Sequence, residues 1–63
     1  MIRILWKVKG FTWESECIKL SAHCLASAAR RHVAEPSCEI DSTLDRGEVY
    51  ERGARVGTFE VIA

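Results

Sequence analysis

The chain begins with an alternation of apolar and polar side chains that is typical of a β-strand. Apolar residues occupy every second position over residues 2–9, with charged residues at most of the positions between them. This period of two predicts a half-buried strand. Gly10 interrupts it, and a second extended run follows over residues 12–20, so we expect a hairpin. The apolar positions are Ile2, Ile4, Trp6 and Val8 in the first run, and Ile18 and Leu20 in the second.

Helical periodicity replaces the alternation after Leu20. Ser21 is a favourable N-cap, because its hydroxyl can accept from the free backbone N–H groups of the first turn. Leu20 and Leu25 occupy the two positions of a hydrophobic staple. We expect the helix to end near Ala34, since Pro36 disfavours helical geometry at the residue before it. The predicted apolar face of this helix consists of Ala22, Leu25, Ala26, Ala29 and Val33.

Beyond Pro36 the pattern predicts strands again. Cys38, Ile40 and Ser42 alternate with acidic or polar residues, and Asp45-Arg46-Gly47 is a turn signal. A short strand is expected over residues 49–52. Gly53 marks another turn, and a last strand is expected over residues 56–62, with Phe59 and Val61 on one face.

The predicted fold is a single α+β domain spanning residues 1–63, with the order ββαβββ and one helix packed across an antiparallel sheet. An alternative is ββαββ, with residues 48–56 as an irregular loop. In either case one sheet face lies under the helix, and the other is solvated or covers a partner. The expected core packs Leu25, Ala29 and Val33 against Ile4, Trp6, Ile18, Ile40, Phe59 and Val61.

Composition narrows the classes of function. Nine basic and nine acidic residues give a formal charge of zero, which argues against a general electrostatic nucleic-acid binder. No apolar run approaches the roughly 20 residues of a membrane span, and the charges near the start do not suit a signal peptide. The three cysteines are an odd number, so we expect free thiols in a reducing cytoplasm.

The residues that carry chemistry do not converge on an active site. Cys17, His23, Cys24, His32 and Cys38 lack the close pairs of a structural zinc site, so no metal or cofactor is expected. Cys24 is the best candidate for a reactive thiol, because the third position of a helix can lower a thiol pKa. The carboxylates are scattered and no acid, base and nucleophile can be named together. We therefore expect a protein that is not an enzyme.

Two groups of residues are candidates for binding. Arg30 and Arg31 form the adjacent basic pair of the helix, and with Lys7, Lys9 and Lys19 they could make a positive patch. Phe11, Trp13 and Tyr50 could gather on the open sheet face and stack on nucleic-acid bases. The expected partner-binding residues are Arg30, Arg31, Trp13, Tyr50 and Lys19.

A family resemblance sharpens this expectation. The hairpin, the segment Ser27-Ala28-Ala29-Arg30-Arg31 and the closing run from Gly47 to Ala63 together resemble the small phage anti-CRISPR proteins, in particular the ninth-named family of type I-F inhibitors. The resemblance implies one helix against a five-stranded antiparallel sheet. It also implies binding to the backbone subunits of the guide-RNA surveillance complex, which stops target DNA from pairing.

Arg30 and Arg31 are the positions that match the basic helix residues of that family. This chain departs from the family in being less basic overall and in having three cysteines. The expected function is therefore that of a non-enzymatic phage inhibitor, which binds a type I CRISPR surveillance complex in the host cytoplasm. The alternative is a small module that binds single-stranded nucleic acid or another protein with its open sheet face.

Overall fold

The computed structural model describes residues 1–41, 43 and 45–63. The described residues form five strands and one helix in the order ββαβββ, which confirms the predicted fold class. The order excludes the ββαββ alternative, because residues 48–56 belong largely to two paired strands. The elements are β1 (Ile2–Val8), β2 (Phe11–Cys17), α1 (Ala22–Ala29), β3 (Pro36–Asp41), β4 (Arg46–Glu51) and β5 (Ala54–Val61).

All five strands join one antiparallel sheet with the order β2-β1-β5-β4-β3. The first and last strands of the chain thus lie side by side at its centre, and β2 and β3 form its edges. The helix packs on one face, mainly against β3 and less against β2. The opposite face, which we call the open face, is left without a covering layer of described residues.

Two tight turns close the hairpins at the positions where glycine predicted them. Lys9 and Gly10 both have positive φ, and so do Arg52 and Gly53. Two consecutive positive φ angles are characteristic of the type I′ turn, which matches the twist of the flanking strands. Lysine and arginine are unusual at the first of these positions, which normally favours Asn, Asp or Gly.

The predicted turn at Asp45-Arg46-Gly47 is wrong for two of its three residues. Asp45 lies in the turn, but Arg46 and Gly47 already belong to β4. Gly47 is needed for close packing: a Cβ at this position would lie 2.5 Å from the Phe59 ring. The glycine thus makes room for an aromatic ring inside the sheet. Ser42, the last position of the predicted alternation with Cys38 and Ile40, lies outside the described residues.

The helix begins as predicted but ends earlier than predicted. Ser21 is the N-cap, and its hydroxyl accepts a hydrogen bond of 3.2 Å from the Cys24 N–H. The last helical residue is Ala29, not Ala34. The N–H groups of Arg31 and His32 bond three residues back, to Ala28 and Ala29, and such bonds tighten a helix end into a 3₁₀-type turn. This turn lets the chain reverse toward β3.

The core confirms only part of the expected packing. Ile4, Trp6, Leu25, Ala29, Val33 and Phe59 are buried as predicted, and Val61 is half-buried. Ile18 is wrong: it is 87% exposed, because β2 ends at Cys17 and leaves it in the following bend. Ile40 is 40% exposed, because it lies on an edge strand opposite Gly47, which has no side chain to cover it. The core also contains Val8, Trp13, Cys17 and Val49, which the prediction omitted.

A disulfide joins Cys17 at the end of β2 to Cys24 in the first turn of α1. The prediction of three free thiols is therefore wrong for this pair, and Cys24, the best candidate for a reactive thiol, is not a free thiol. An odd count does not prevent one pair from closing a short connection, here of sequence separation 7. Cys38 is free and half-buried on β3. Burial raises the pKa of its thiol, which favours the unreactive protonated form.

Candidate binding surface at the basic end of the molecule

Three segments that are distant in sequence meet at one end of the molecule. They are the β1–β2 turn, the loop of residues 30–35 after the helix, and the β4–β5 turn. The Glu51 carboxylate accepts a hydrogen bond of 2.9 Å from the Ala34 N–H and forms an ion pair with Lys9. Arg52 forms an ion pair of 3.5 Å with Glu35. We call this surface, with Lys9, Arg30, Arg31, Glu35, Glu51 and Arg52, the basic end.

Two of the four positive charges of the basic end, those of Arg30 and Arg31, take no part in its ion pairs. Glu51 compensates Lys9, and Glu35 compensates Arg52. Glu35 follows Arg31 by four residues, but its carboxylate pairs with Arg52 instead. Within residues 1–41, 43 and 45–63, neither Arg30 nor Arg31 has a carboxylate within 4 Å. Both arginines are exposed, so their guanidinium groups are available to a partner.

An aromatic stack borders these arginines. The His32 ring lies parallel to the Phe11 ring, with centroids 4.0 Å apart, and meets the Trp13 ring edge-on at 4.6 Å. Trp13 in turn stacks on Trp6 in the core. Phe11 is 52% exposed, so the stack runs from the core to the surface. It fixes His32, the residue that follows Arg31, and thereby holds the loop that carries both arginines.

The structure brings together only two of the five predicted binding residues. Arg30 and Arg31 lie next to each other at the C-terminal end of α1. Lys19 precedes the N-cap at the opposite end of the helix, about 12 Å away along its axis. Trp13 is only 8% exposed on the helix-covered side, so the premise that it lies on the open face is wrong. Tyr50 does alternate onto the open face, where its hydroxyl donates a hydrogen bond of 2.8 Å to Glu48.

The open face is acidic and poor in aromatic residues. A depression of about 670 Å³ on it is lined mainly by charged side chains of both signs. Tyr50 is the aromatic residue that the register places there, because Phe11 and Trp13 lie on the other face. A face with this charge repels a phosphate backbone. By register its carboxylates are Glu14, Glu16, Glu39, Asp41, Glu48 and Glu60, and its basic residues are Arg3, Lys7, Arg46 and Arg55.

Besides Cys38, two ionisable groups have shifted pKa values with identifiable causes. The hydrogen bond from Lys9, supported by the one from the Ala34 N–H, holds the pKa of Glu51 below its ordinary value. The hydrogen bond to Glu48 raises the pKa of Tyr50, because ionisation would remove that bond and place a second negative charge beside the carboxylate. The Glu51 carboxylate stabilises the basic end, and the Tyr50 hydroxyl belongs to the open face.

The described residues contain no group of three or more His, Cys, Asp or Glu side chains arranged to hold a metal ion. The helix that the structure describes is too short to cross a membrane.

Sequence reasoning missed two features of this surface. Nothing in the sequence pairs Lys9 with Glu51, since the two residues meet only through the strand order of the sheet. The Phe11–His32 stack depends on the early end of the helix, which returns residue 32 to the β2 edge. A turn signal at Gly10 places Phe11 beside a hairpin turn, but it does not indicate that the His32 ring stacks on Phe11.

Comparisons with family models, with curated proteins and with solved structures found no match to this chain.

Proposed function

We propose that this chain is a non-enzymatic binding protein that attaches to an acidic surface of a larger protein complex through its basic end. The observation that carries the proposal is the surplus of Arg30 and Arg31, which have no internal ion pair within 4 Å among the described residues. Arginine is favoured in interfaces because its planar guanidinium binds carboxylates through two hydrogen bonds. The exposed Phe11 adds an apolar contact beside the pair.

An acidic protein surface suits these residues better than a nucleic acid. The surplus consists of two arginines on a chain with a formal charge of zero. Nucleic-acid binding draws a large share of its affinity from the neutralisation of phosphates by lysine and arginine, whereas a protein interface draws its affinity from a few well-placed arginine and aromatic side chains. The acidic open face adds repulsion toward a phosphate backbone. We therefore place the single-stranded nucleic-acid alternative second.

The narrower form of this proposal rests on the resemblance to the phage anti-CRISPR proteins. In that form the larger complex is a type I surveillance complex, and the chain prevents it from pairing with target DNA in the host cytoplasm. Disulfides are rare in reducing cytoplasm, so this form requires the domain to fold with Cys17 and Cys24 reduced. The effect of reduction on stability is therefore a direct check of the proposed location.

The test replaces both arginines by glutamine. Exposed side chains without partners contribute little to stability, so we expect the Arg30→Gln/Arg31→Gln variant to melt like the parent. The matched control is Lys7→Gln/Arg46→Gln, which removes the same charge from the open face. We expect the arginine variant alone to lose binding to the purified surveillance complex and to fail to protect a phage in a host with type I immunity.

Three outcomes of this test would each overturn a different part of the proposal. A folded arginine variant that still binds the complex overturns the assignment of the basic end. If the parent itself neither binds the complex nor protects the phage, the narrower form is wrong. If the parent binds single-stranded nucleic acid with an affinity that falls steeply with salt, the nucleic-acid alternative replaces the acidic protein surface.

A further inference from the structure

Strand β2 forms one edge of the sheet along its entire length. Its seven residues pair with β1 from Ile2↔Cys17 to Val8↔Phe11 without a bulge, and β1 is its only neighbour in the described sheet. An edge strand presents a row of backbone N–H and C=O groups that can pair with another strand. The other edge strand, β3, begins with proline and carries most of the contacts to the helix.

The hydrogen bonds of β1 show which groups of β2 point outward. The Arg3 N–H and C=O bond to the end of the chain after β5, and the Lys9 N–H bonds to Val56. Odd-numbered residues of β1 therefore direct their backbone groups toward β5, and even-numbered residues direct theirs toward β2. In an antiparallel pair the bonded partners alternate. The N–H and C=O groups that face away from the sheet consequently belong to Thr12, Glu14 and Glu16.

The side chains along this edge have a defined pattern on each face. Glu14 and Glu16 lie on the open face, where Arg3 contacts Glu14 at 3.7 Å while Glu16 has no ion pair within the described part of the chain. Phe11, half exposed, lies on the helix-covered face. The strand contains no lysine, no proline and no bulge, which are common devices that keep an edge from pairing.

The two glutamates select against a second copy of the chain. Two β2 strands that pair antiparallel around a twofold axis at Glu14 would place this residue opposite its own copy and Glu16 opposite Thr12. Like charges directly opposite each other destabilise a sheet, whereas opposite charges stabilise it. The same edge therefore disfavours self-pairing in this register and favours a strand that carries positive charges at alternate positions.

We propose that the β2 edge binds an extended segment of a partner protein as a sixth strand of the sheet. The segment carries lysine or arginine at two positions spaced by two, facing Glu14 and Glu16, and an apolar residue on the other face near Phe11. Main-chain hydrogen bonds to Thr12, Glu14 and Glu16 provide affinity, and the alternating side chains provide specificity, as in other cases of strand addition. This docking site shares Phe11 with the surface of the proposed function but does not use Arg30 or Arg31.

The test uses a capped peptide of alternating lysine and valine, equal in length to β2, and a control peptide in which glutamate replaces lysine. Addition of the lysine peptide should shift the amide resonances of Thr12, Glu14 and Glu16 and slow their hydrogen exchange. The variant Glu16→Lys should weaken binding about tenfold. The matched variant Glu60→Lys makes the same change on the open face of β5, two strands away, and should bind like the parent.

Three results would overturn the proposal. One is binding of the lysine peptide without slowed exchange at the three amides, since this would indicate general charge attraction. The second is equal weakening by Glu16→Lys and Glu60→Lys. The third is a dimer of the parent in sedimentation that already protects the same amides, because the occupant would then be a second copy. The arginine variant of the basic end should bind the peptide normally, which separates this test from that of the proposed function.

Discussion

The two faces of the sheet are built from the same strands and serve different purposes. The helix-covered face buries Ile4, Trp6, Val49 and Phe59 almost completely. The open face presents charged side chains at the positions between them, as the strand registers show. Burial of apolar area is the dominant favourable contribution to folding, so stability depends mainly on the first face. The second face and the β2 edge are thereby free to vary with function.

The strongest test of this contrast places the same charge on a buried and on an exposed position of α1. Ala29 is 0% exposed against the sheet, whereas Ala22 is exposed at the start of the helix. Ala29→Glu should cost about 3 kcal/mol or more, because the carboxylate has no buried partner. A domain this small has a stability of only a few kcal/mol. We expect loss of the folded state in circular dichroism and thermal melting.

Ala22→Glu is the control for that experiment. A negative charge in the first helical turn is favourable toward the helix dipole by about 0.3–1 kcal/mol, so this variant should melt at or slightly above the temperature of the parent. If Ala29→Glu melts like Ala22→Glu, the helix is not packed on the sheet as described, and the distinction between the two faces fails.

The next largest effect concerns the covalent link from β2 to α1. The Cys17–Cys24 disulfide closes a connection of sequence separation 7, for which loop-closure entropy corresponds to about 2.4 kcal/mol. Reduction should therefore lower the melting temperature by about 10 °C or more in a domain of this size. Cys38→Ala should show the same sensitivity to reductant, because Cys38 takes no part in the bond. An unchanged melting temperature on reduction would show that apolar packing alone holds the helix.

A smaller effect is expected from Glu51, the carboxylate that ties the basic end together. Its pKa lies below its ordinary value of about 4.5, because Lys9 and the Ala34 N–H bind the ionised form. A depressed folded-state pKa means that the stabilisation is fully present above the unfolded-state pKa and is lost as the pH falls through the lower, folded-state value. Melting temperatures measured from neutral pH downward should therefore decrease below about pH 4.5.

Glu51→Gln should make the melting temperature depend less on pH in this acidic range, since the side chain can no longer bind a proton there. Glu35→Gln is the matched control, because Glu35 also pairs with an arginine of the basic end but both side chains are 75% exposed. Exposed ion pairs contribute little. Equal effects of the two substitutions would contradict the special role assigned to Glu51.

The contrast between the faces also explains how far the sequence could be interpreted. Alternation in β1 and the glycines at positions 10 and 53 predict local structure, because these signals depend only on neighbouring residues. Ile18 and Trp13 were misplaced because their environment depends on where β2 ends and where the helix returns. The disulfide likewise depends on the distance between Cys17 and Cys24 in the folded chain, which a count of cysteines does not contain.

The candidate surface was predictable only in part, because it too depends on contacts between segments that are distant in the sequence. Arg30 and Arg31 are neighbours in the sequence, so their pairing needs no tertiary information. That they are the uncompensated charges of the basic end follows from the ion pairs of Lys9 and Arg52, which form between segments far apart in the chain. The outward-facing groups of β2 similarly follow from the strand order, which placed β1 between β2 and β5.

The smallest expected effect belongs to the open face and is measured by titration of Tyr50, the one tyrosine of the chain. Its hydroxyl donates to Glu48, and this bond raises its pKa above the ordinary value of 10.0. Glu48→Gln removes the negative charge and should shift the midpoint of tyrosinate absorbance downward. Arg55→Gln should shift it upward, because Arg55 favours the ionised form.

A raised folded-state pKa stabilises the fold below the unfolded-state pKa, and this stabilisation disappears as the pH rises through the folded-state value. Both variants should melt like the parent at neutral pH, since an exposed face carries little of the stability. Shifts of the same sign in the two variants would contradict the arrangement of Tyr50, Glu48 and Arg55 on the open face.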